Sequence, residues 1–140
     1  MKFDKEYTDY WSSAVKKSVD GTVIAGAKEV LHIIEYLQVE KNDKGLDLGC
    51  SFGRLKEVIS TCCDAVYGVD IDKYAVEKAS LQAYEEVRVG SAEQTSFNAG
   101  FFDLVFCWAV FEVVDQKKGL AEINRVLKTG GKLIITGKNN

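Results

Sequence analysis

The stretch Gly45-Leu46-Asp47-Leu48-Gly49-Cys50-Ser51-Phe52-Gly53-Arg54-Leu55 decides the fold. Leu46-Asp47-Leu48 reads as a short buried strand. The chain then turns through Gly49 to Gly53 and leaves as a helix over 53–62, with Leu55, Val58, Ile59 and Cys62 at helical spacing. Glycine allows positive φ and lets a ligand approach the backbone closely. The start of a helix offers unpaired N–H groups to that ligand. Strand, glycine turn and helix together have the form of a nucleotide-type cofactor site.

The charge in this stretch narrows the cofactor. A dinucleotide fingerprint reads G-x-G-x-x-G and places a pyrophosphate on the helix N-terminus. Here the glycines are Gly49 and Gly53, with Ser51 between them. Asp47 stands two residues before Gly49 and would repel a pyrophosphate. It suits a cofactor that is cationic at that end, such as S-adenosylmethionine, which carries an ammonium and a sulfonium and no phosphate.

Working outward, strands alternate with helices. Residues 3–18 place Phe3, Tyr7, Tyr10, Trp11, Ala14 and Val15 on one helical face. A second helix carries Val23, Ile24, Ala27, Val30, Leu31, Ile34 and Leu37, and residues 40–44 turn into the first strand. Residues 65–71 form a second strand ending in acid, followed by a helix over 73–83 that buries Ala75, Val76 and Ala79. Residues 87–90 make a short third strand, and 91–100 a polar loop. Residues 102–108 are the most apolar strand, suited to a sheet centre. A helix over 116–127 with Leu120, Ile123, Val126 and Leu127 in its stripe ends at Thr129-Gly130-Gly131, before a fifth strand over 132–136.

This alternation predicts an α/β fold: a doubly wound, mostly parallel sheet with helices on both faces. The expected strand order is 3-2-1-4-5. One domain over 1–140 is expected, with an N-terminal helical segment at 1–40 and the α/β core at 45–138. In such sheets ligands bind beyond the C-terminal ends of the strands, where the order reverses. Gly49, Asp70, Ser91 and Cys107 would collect there.

The motif Leu46-Asp47-Leu48-Gly49-Cys50-Ser51-Phe52-Gly53-Arg54 resembles motif I of the class I S-adenosylmethionine-dependent methyltransferases, and further matching segments follow in order from about residue 30 to residue 138. The resemblance implies a Rossmann-like methyltransferase core that binds S-adenosylmethionine and releases S-adenosylhomocysteine. It implies that Asp70 accepts both ribose hydroxyls, a charge-assisted arrangement. Asp72 is the competing acid, read as the cap of the following helix. An acid at a strand end supports little packing, so removing Asp70 is expected to leave stability nearly unchanged.

The resemblance further implies that Asp47 steadies the methionine end, and that Gly49, Cys50, Ser51 and Gly53 shape the loop, with Ile71 beside Asp70. Arg54 either meets the cofactor carboxylate or is simply solvated. Ser91, Ala92 and Glu93 would flank the adenine, with Ser91 where many relatives carry an acid. Cys107 and Trp108 would pass beside the cofactor, with core packing the other reading of Trp108. Tyr10 and Trp11 either pack the first helix on the sheet or form a lid with a cation–π partner for the sulfonium. Residues 109–115 resemble the family's V-L-E-H-V-x-D, with Val113 in place of the histidine. No catalytic residue is assigned, and methyl transfer as an in-line displacement requires no acid–base set. The resemblance implies two further strands after the fifth, and the expectation is a core that ends before them.

Composition bounds the alternatives. The chain has 140 residues, net charge −3 and no basic block, which argues against a large nucleic-acid footprint. Cys50, Cys62, Cys63 and Cys107 show no metal spacing and read as reduced thiols of a cytoplasmic protein. The start is polar and acidic, unlike a signal peptide, and no apolar run approaches a membrane span. The single histidine, His32, reads as a surface residue, so no Ser-His-Asp set can be built around it. The leading expectation is a methyltransferase acting on a small molecule. The alternatives are a non-catalytic or truncated cofactor-binding domain and, less favoured, a nicotinamide-dependent oxidoreductase. The apolar fifth strand, left at an edge, is expected to pair with a second copy.

Overall fold

The computed structural model describes residues 31–32, 34–36, 38–108 and 115–136. The expected first helix, most of the second and residues 109–114 lie outside these. The elements are β1 (Asn42–Leu48), α1 (Lys56–Ile59), β2 (Cys63–Asp70), α2 (Lys73–Ala79), β3 (Glu86–Val89), β4 (Phe102–Trp108), α3 (Gln116–Val126) and β5 (Leu127–Thr136). The five strands form one sheet in the order β3-β2-β1-β4-β5. Every pairing is parallel. The expected strand order is therefore found. It reverses between β1 and β4, which opens a crevice at their C-terminal ends.

The strand period of two sorts the core. Leu46 and Leu48 face one layer with Val69, Val105, Phe97 and the α3 residues Ile123 and Val126. On the opposite face, Leu55 just before α1 and Ile59 within it pack with Val66, Leu104, Phe106 and Ile134. Leu46, Phe102, Leu104 and Val105 are fully buried. Each such side chain contributes about 1.5–3 kcal/mol by leaving water. Tyr67, Phe97, Phe101 and Phe102 add an edge-to-face cluster, with Phe101 and Phe102 centroids 5.0 Å apart. Before β1, Leu31, His32 and residues 34–36 are helical. Gln38 closes this turn at φ +51°, with Val39 N–H donating to Ile34 C=O. His32 is exposed.

Several boundaries differ from the sequence reading. The helix expected over 53–62 has its α-helical part only at Lys56–Ile59. Gly53 at φ +90° spends the first turn on the loop, and the last bonds, Thr61 to Val58 and Cys62 to Ile59, tighten to i→i+3. Strand β2 consequently starts at Cys63, and β1 starts at Asn42, paired with that cysteine. Helix α2 stops at Ala79 because Leu81 and Gln82 N–H groups bond back to Lys78 and Ala79. The third strand runs one residue earlier than expected.

Helix α3 buries Gly119, Glu122, Ile123 and Val126, while Leu120 is 48% exposed, so its inward face is turned from the expected stripe. Its end flows straight into β5. Leu127 already pairs with Phe102, and the register shifts before Leu104 meets Lys132. Thr129-Gly130-Gly131 is thus an irregularity inside β5, with Gly130 at φ +81°, rather than a helix stop.

Candidate functional site

The loop after β1 is built from left-handed backbone. Gly49, Ser51 and Gly53 have φ of +76°, +54° and +90°. Only glycine adopts such angles freely, so Ser51 is held there by its surroundings. The holding bonds are visible. Gly49 and Cys50 N–H groups both donate to Val69 C=O, and Gly53 N–H donates to Cys50 C=O. Ser51 N–H donates to Asp70 Oδ2 at 2.9 Å. Phe52 points inward against Ala75 and packs edge-on to Tyr74 at 5.5 Å. The loop is thereby folded onto the end of β2.

Asp70 ends β2, half-buried, with Ile71 half-buried next to it. Its second oxygen accepts from Asp72 N–H at 2.9 Å. Burial raises its carboxyl from the ordinary value, against the backbone N–H groups of Asp72, Ser51 and Ile71, which favour the charged form. A carboxylate has lone pairs for about four donors, so both oxygens retain capacity for hydroxyls. Asp72 is the N-cap of α2 and accepts from Tyr74 N–H. The two acids therefore divide the work as the sequence suggests: one caps, the other faces the loop.

Asp47 lies under the loop rather than in its mouth. It is 1% exposed and accepts from the Tyr84 hydroxyl at 2.7 Å. Burial lifts its carboxyl to about 7, while the Tyr84 bond and Arg54 oppose the rise and Asp70 adds to it. The same charges reach their neighbours. Burial raises Cys50 well above the usual thiol range, and Asp47 and Asp70 push it further. Tyr84 is raised by burial, then by Asp47, Cys50 and Asp70. Negative potential thus gathers beneath a loop of close-approach backbone. Arg54 is exposed beside it.

The segment after β3 forms the neighbouring wall. Ser91 Oγ accepts from Glu93 N–H at 3.0 Å, which makes a tight turn with Ala92 buried at its centre. This turn is anchored by residues that the sequence did not single out. Glu122 is 7% exposed and accepts from Thr95 N–H at 2.8 Å and Thr95 Oγ1 at 2.6 Å. Arg125 donates to both Glu122 oxygens and to Phe97 C=O. Cys107 is buried at the end of β4, level with Leu48 and Ile135, and the Trp108 backbone pairs with Thr136. Gly49, Asp70, Ser91 and Cys107 therefore lie at the C-terminal ends of adjacent strands. Tyr10 and Trp11 lie outside the described residues.

A hollow of about 360 Å³ lined by Val39, Leu104, Lys132, Leu133 and Ile134 opens elsewhere, alongside β5 and away from the glycine loop. Among the described residues no group of His, Cys, Asp or Glu could hold a metal ion. No helix among them is long and apolar enough to cross a membrane.

Residues 46–135 match the family model described as a methyltransferase domain. The chain is 28% identical over 123 residues to the uncharacterized methyltransferase YcgJ of Bacillus subtilis, covering 83% of this chain and 49% of that protein. The YcgJ crystal structure superposes with a TM-score of 0.68 at 28% identity, over 77% of this chain and 50% of the other. A ubiquinone biosynthesis O-methyltransferase of Thiobacillus denitrificans is 30% identical over 103 residues, covering 69% of this chain and 44% of that protein. The chain thus spans about half the length of these curated relatives. The family match covers the glycine loop, Asp70, the Ser91 turn and the sheet that aligns them, and on that ground the chain belongs to the class I S-adenosylmethionine-dependent methyltransferases.

Proposed function

We propose that this chain binds S-adenosylmethionine at the C-terminal ends of β1, β2 and β4 and supports transfer of its methyl group to a small molecule. One observation carries the reading: Asp70 is bonded to the loop at Ser51 and Asp47 lies beneath it, and the φ angles of the loop turn it toward the strand ends. Such a site favours a cationic ligand and disfavours a pyrophosphate, which speaks against the nicotinamide alternative. The residues fit the cofactor. Asp70 has acceptor capacity for two ribose hydroxyls. The Gly49–Gly53 backbone gives close approach to the methionyl part, with Asp47 supplying negative potential from below. The Ser91-Ala92-Glu93 turn would border the adenine.

When bound, the cofactor supplies a methyl group on a sulfonium, open to in-line displacement by a nucleophile. The protein's part is to bind, orient and exclude water, which can lower such a barrier by several kcal/mol, roughly 7–11 at the upper end. No described residue is assigned as a base. A small acceptor accords with the net charge of −3 and the lack of a basic block. A cytoplasmic setting accords with Cys50, Cys62, Cys63 and Cys107 as thiols without a disulfide.

A second reading is favoured by the span of about half of each relative: a cofactor-binding part of a longer enzyme that binds without turnover by itself. Calorimetry with S-adenosylmethionine, S-adenosylhomocysteine and NAD tests the first step. Heat is expected with the first two only. Folded protein that binds neither overturns the proposal. Release of S-adenosylhomocysteine across a panel of acceptors then separates the enzyme from the binding domain.

A further inference from the structure

Tyr84 belongs to the connection between α2 and β3, yet its ring reaches under the glycine loop. A Cβ on Gly53 would come within 3.0 Å of Tyr84 Cε2, and one on Gly68 within 3.2 Å of Cε1. Gly68 is the β2 residue level with Asp47. The two glycines are thus the space that the ring occupies, and its hydroxyl ends on Asp47 Oδ2 at 2.7 Å. Tyr84 is half-buried and floors both the loop and the carboxylate.

We propose that Tyr84 is a positioning residue for the cofactor: its hydroxyl holds Asp47 in place beneath the loop and favours the charged form that attracts the methionyl ammonium, so cofactor affinity depends on pH through Asp47 and on Tyr84 for where that dependence falls. The inference rests on the cofactor reading above.

The groups that face Asp47 can be named from every side. The connection presents Tyr84, the loop and the turn that follows it present Cys50 and Arg54, and β2 presents Asp70. Strand β4 is level with Asp47 at Phe106, which does not titrate. Burial is the largest influence on Asp47 and favours the acid, whereas the Tyr84 hydroxyl favours the carboxylate. A hydrogen bond to a charged group is strong enough to move a titration by about one unit. Removing the hydroxyl alone therefore moves the Asp47 titration upward and leaves the ring, and the packing it provides, in place.

The test uses the full chain as wild type, Tyr84→Phe and Asp47→Asn, with two readouts. The first needs no ligand. A group that is more basic in the fold than in the unfolded chain lends stability at acid pH and loses it as pH rises through the folded value. Urea unfolding of the wild type, compared with Asp47→Asn, should thus weaken from about pH 4 to about pH 7 and then level off. The comparison removes the part due to Asp70, which both proteins share. In Tyr84→Phe the weakening should continue about one unit higher. The second readout is calorimetry with S-adenosylhomocysteine. Affinity should rise with pH through about 7 in the wild type. The midpoint should lie higher in Tyr84→Phe, leaving it roughly fivefold weaker at neutral pH, and Asp47→Asn should bind weakly with little of this slope. A Tyr84→Phe protein with the wild-type profile in both readouts overturns the positioning role. Wild-type binding that does not vary between about pH 6 and 8 overturns it while leaving the cofactor reading intact. A folded wild type that does not bind at all overturns both.

Discussion

The backbone N–H of Ser51 donates to Asp70 Oδ2 at 2.9 Å, so the left-handed turn after β1 is fastened to the acid that ends β2. Ser51 sits at φ +54°, where a non-glycine residue is strained. The bond to a carboxylate offsets that strain, and Asp72 N–H on the other oxygen fixes the acid in turn. The sequence reading expected the removal of Asp70 to leave stability nearly unchanged, and the two backbone N–H groups that it accepts correct this.

Asp70→Ala should therefore do two things at once. Loss of two charge-assisted backbone bonds should destabilise the fold by about 2 kcal/mol, read as a lower urea midpoint. Affinity for S-adenosylhomocysteine should fall at least about tenfold. Asp70→Asn keeps an acceptor and should fall between. Asp72→Ala should cost about 1 kcal/mol as a lost cap without changing affinity. If affinity follows Asp72 instead, the ribose acid has been misassigned.

Gly53→Ala should cost roughly 2 kcal/mol, since it joins φ +90° to contacts of 2.9 Å with Gln82 Cγ and 3.0 Å with Tyr84 Cε2. Gln82 is exposed and can swing aside, but Tyr84 is held by Asp47. Gly100→Ala is the control. Its φ of +61° carries the backbone cost alone, with nothing within 4 Å. Thermal melts of the pair should show the larger loss at Gly53, and equal losses would mean that Tyr84 does not fill that space.

Glu122 sets an acid limit on stability. Burial by itself would raise its carboxyl, but Arg125 and the two Thr95 bonds hold it below the ordinary value of 4.5. A group made more acidic by folding lends stability above its unfolded value and loses it as pH falls toward the folded one. The wild type should thus lose stability below about pH 4.5, with Glu122→Gln showing less of that loss. The same variant should loosen residues 91–97, visible as faster amide exchange at Thr95 and Phe97. Equal acid sensitivity in both proteins would remove Glu122 from this role.

The edge of β5 gives a prediction about association. We propose that two copies pair there, β5 against β5. Ile134 is buried against the α1 face, so changing it would test the core and not the edge. Ile135 is 43% exposed and is the better probe. Sedimentation at rising concentration should show a dimer for the native chain that Ile135→Lys weakens. A native chain that stays monomeric would rule out the contact.

Hydrophobic patterning made the sheet legible. Leu46-Asp47-Leu48, the run to Asp70 and Phe102–Trp108 are short apolar segments bounded by turns, and their order followed from right-handed crossovers. Asp72 was readable as a cap because capping is local. What escaped was non-local. Tyr84 meets Asp47 across 37 residues, and nothing near either residue announces the contact. Glu122 is a charge on the buried face of α3, and a polar residue there turns the apparent stripe away from its true direction. The short α1 was hidden because Val58, Ile59 and Cys62 keep helical spacing while the backbone has already tightened into turns.

The seam between β1 and β4 has a kinetic meaning. Strands β1, β2 and β3 are joined by short crossovers and can assemble from neighbouring chain. The seam is different: Lys44 N–H meets Asp103 at a separation of 59 residues, and Gly45 pairs with Leu104. Closing so long a segment carries an entropic cost that grows as about (3/2)RT ln n and is met before the strand contacts repay it. Refolding should be limited by this closure. Leu104→Ala should slow refolding if the seam is already formed at the barrier, and should speed unfolding instead if it zips up afterward. Ligand added during refolding should leave the rate of closure unchanged and act afterward as a clasp, because its binding crevice exists only once the two halves of the sheet have met.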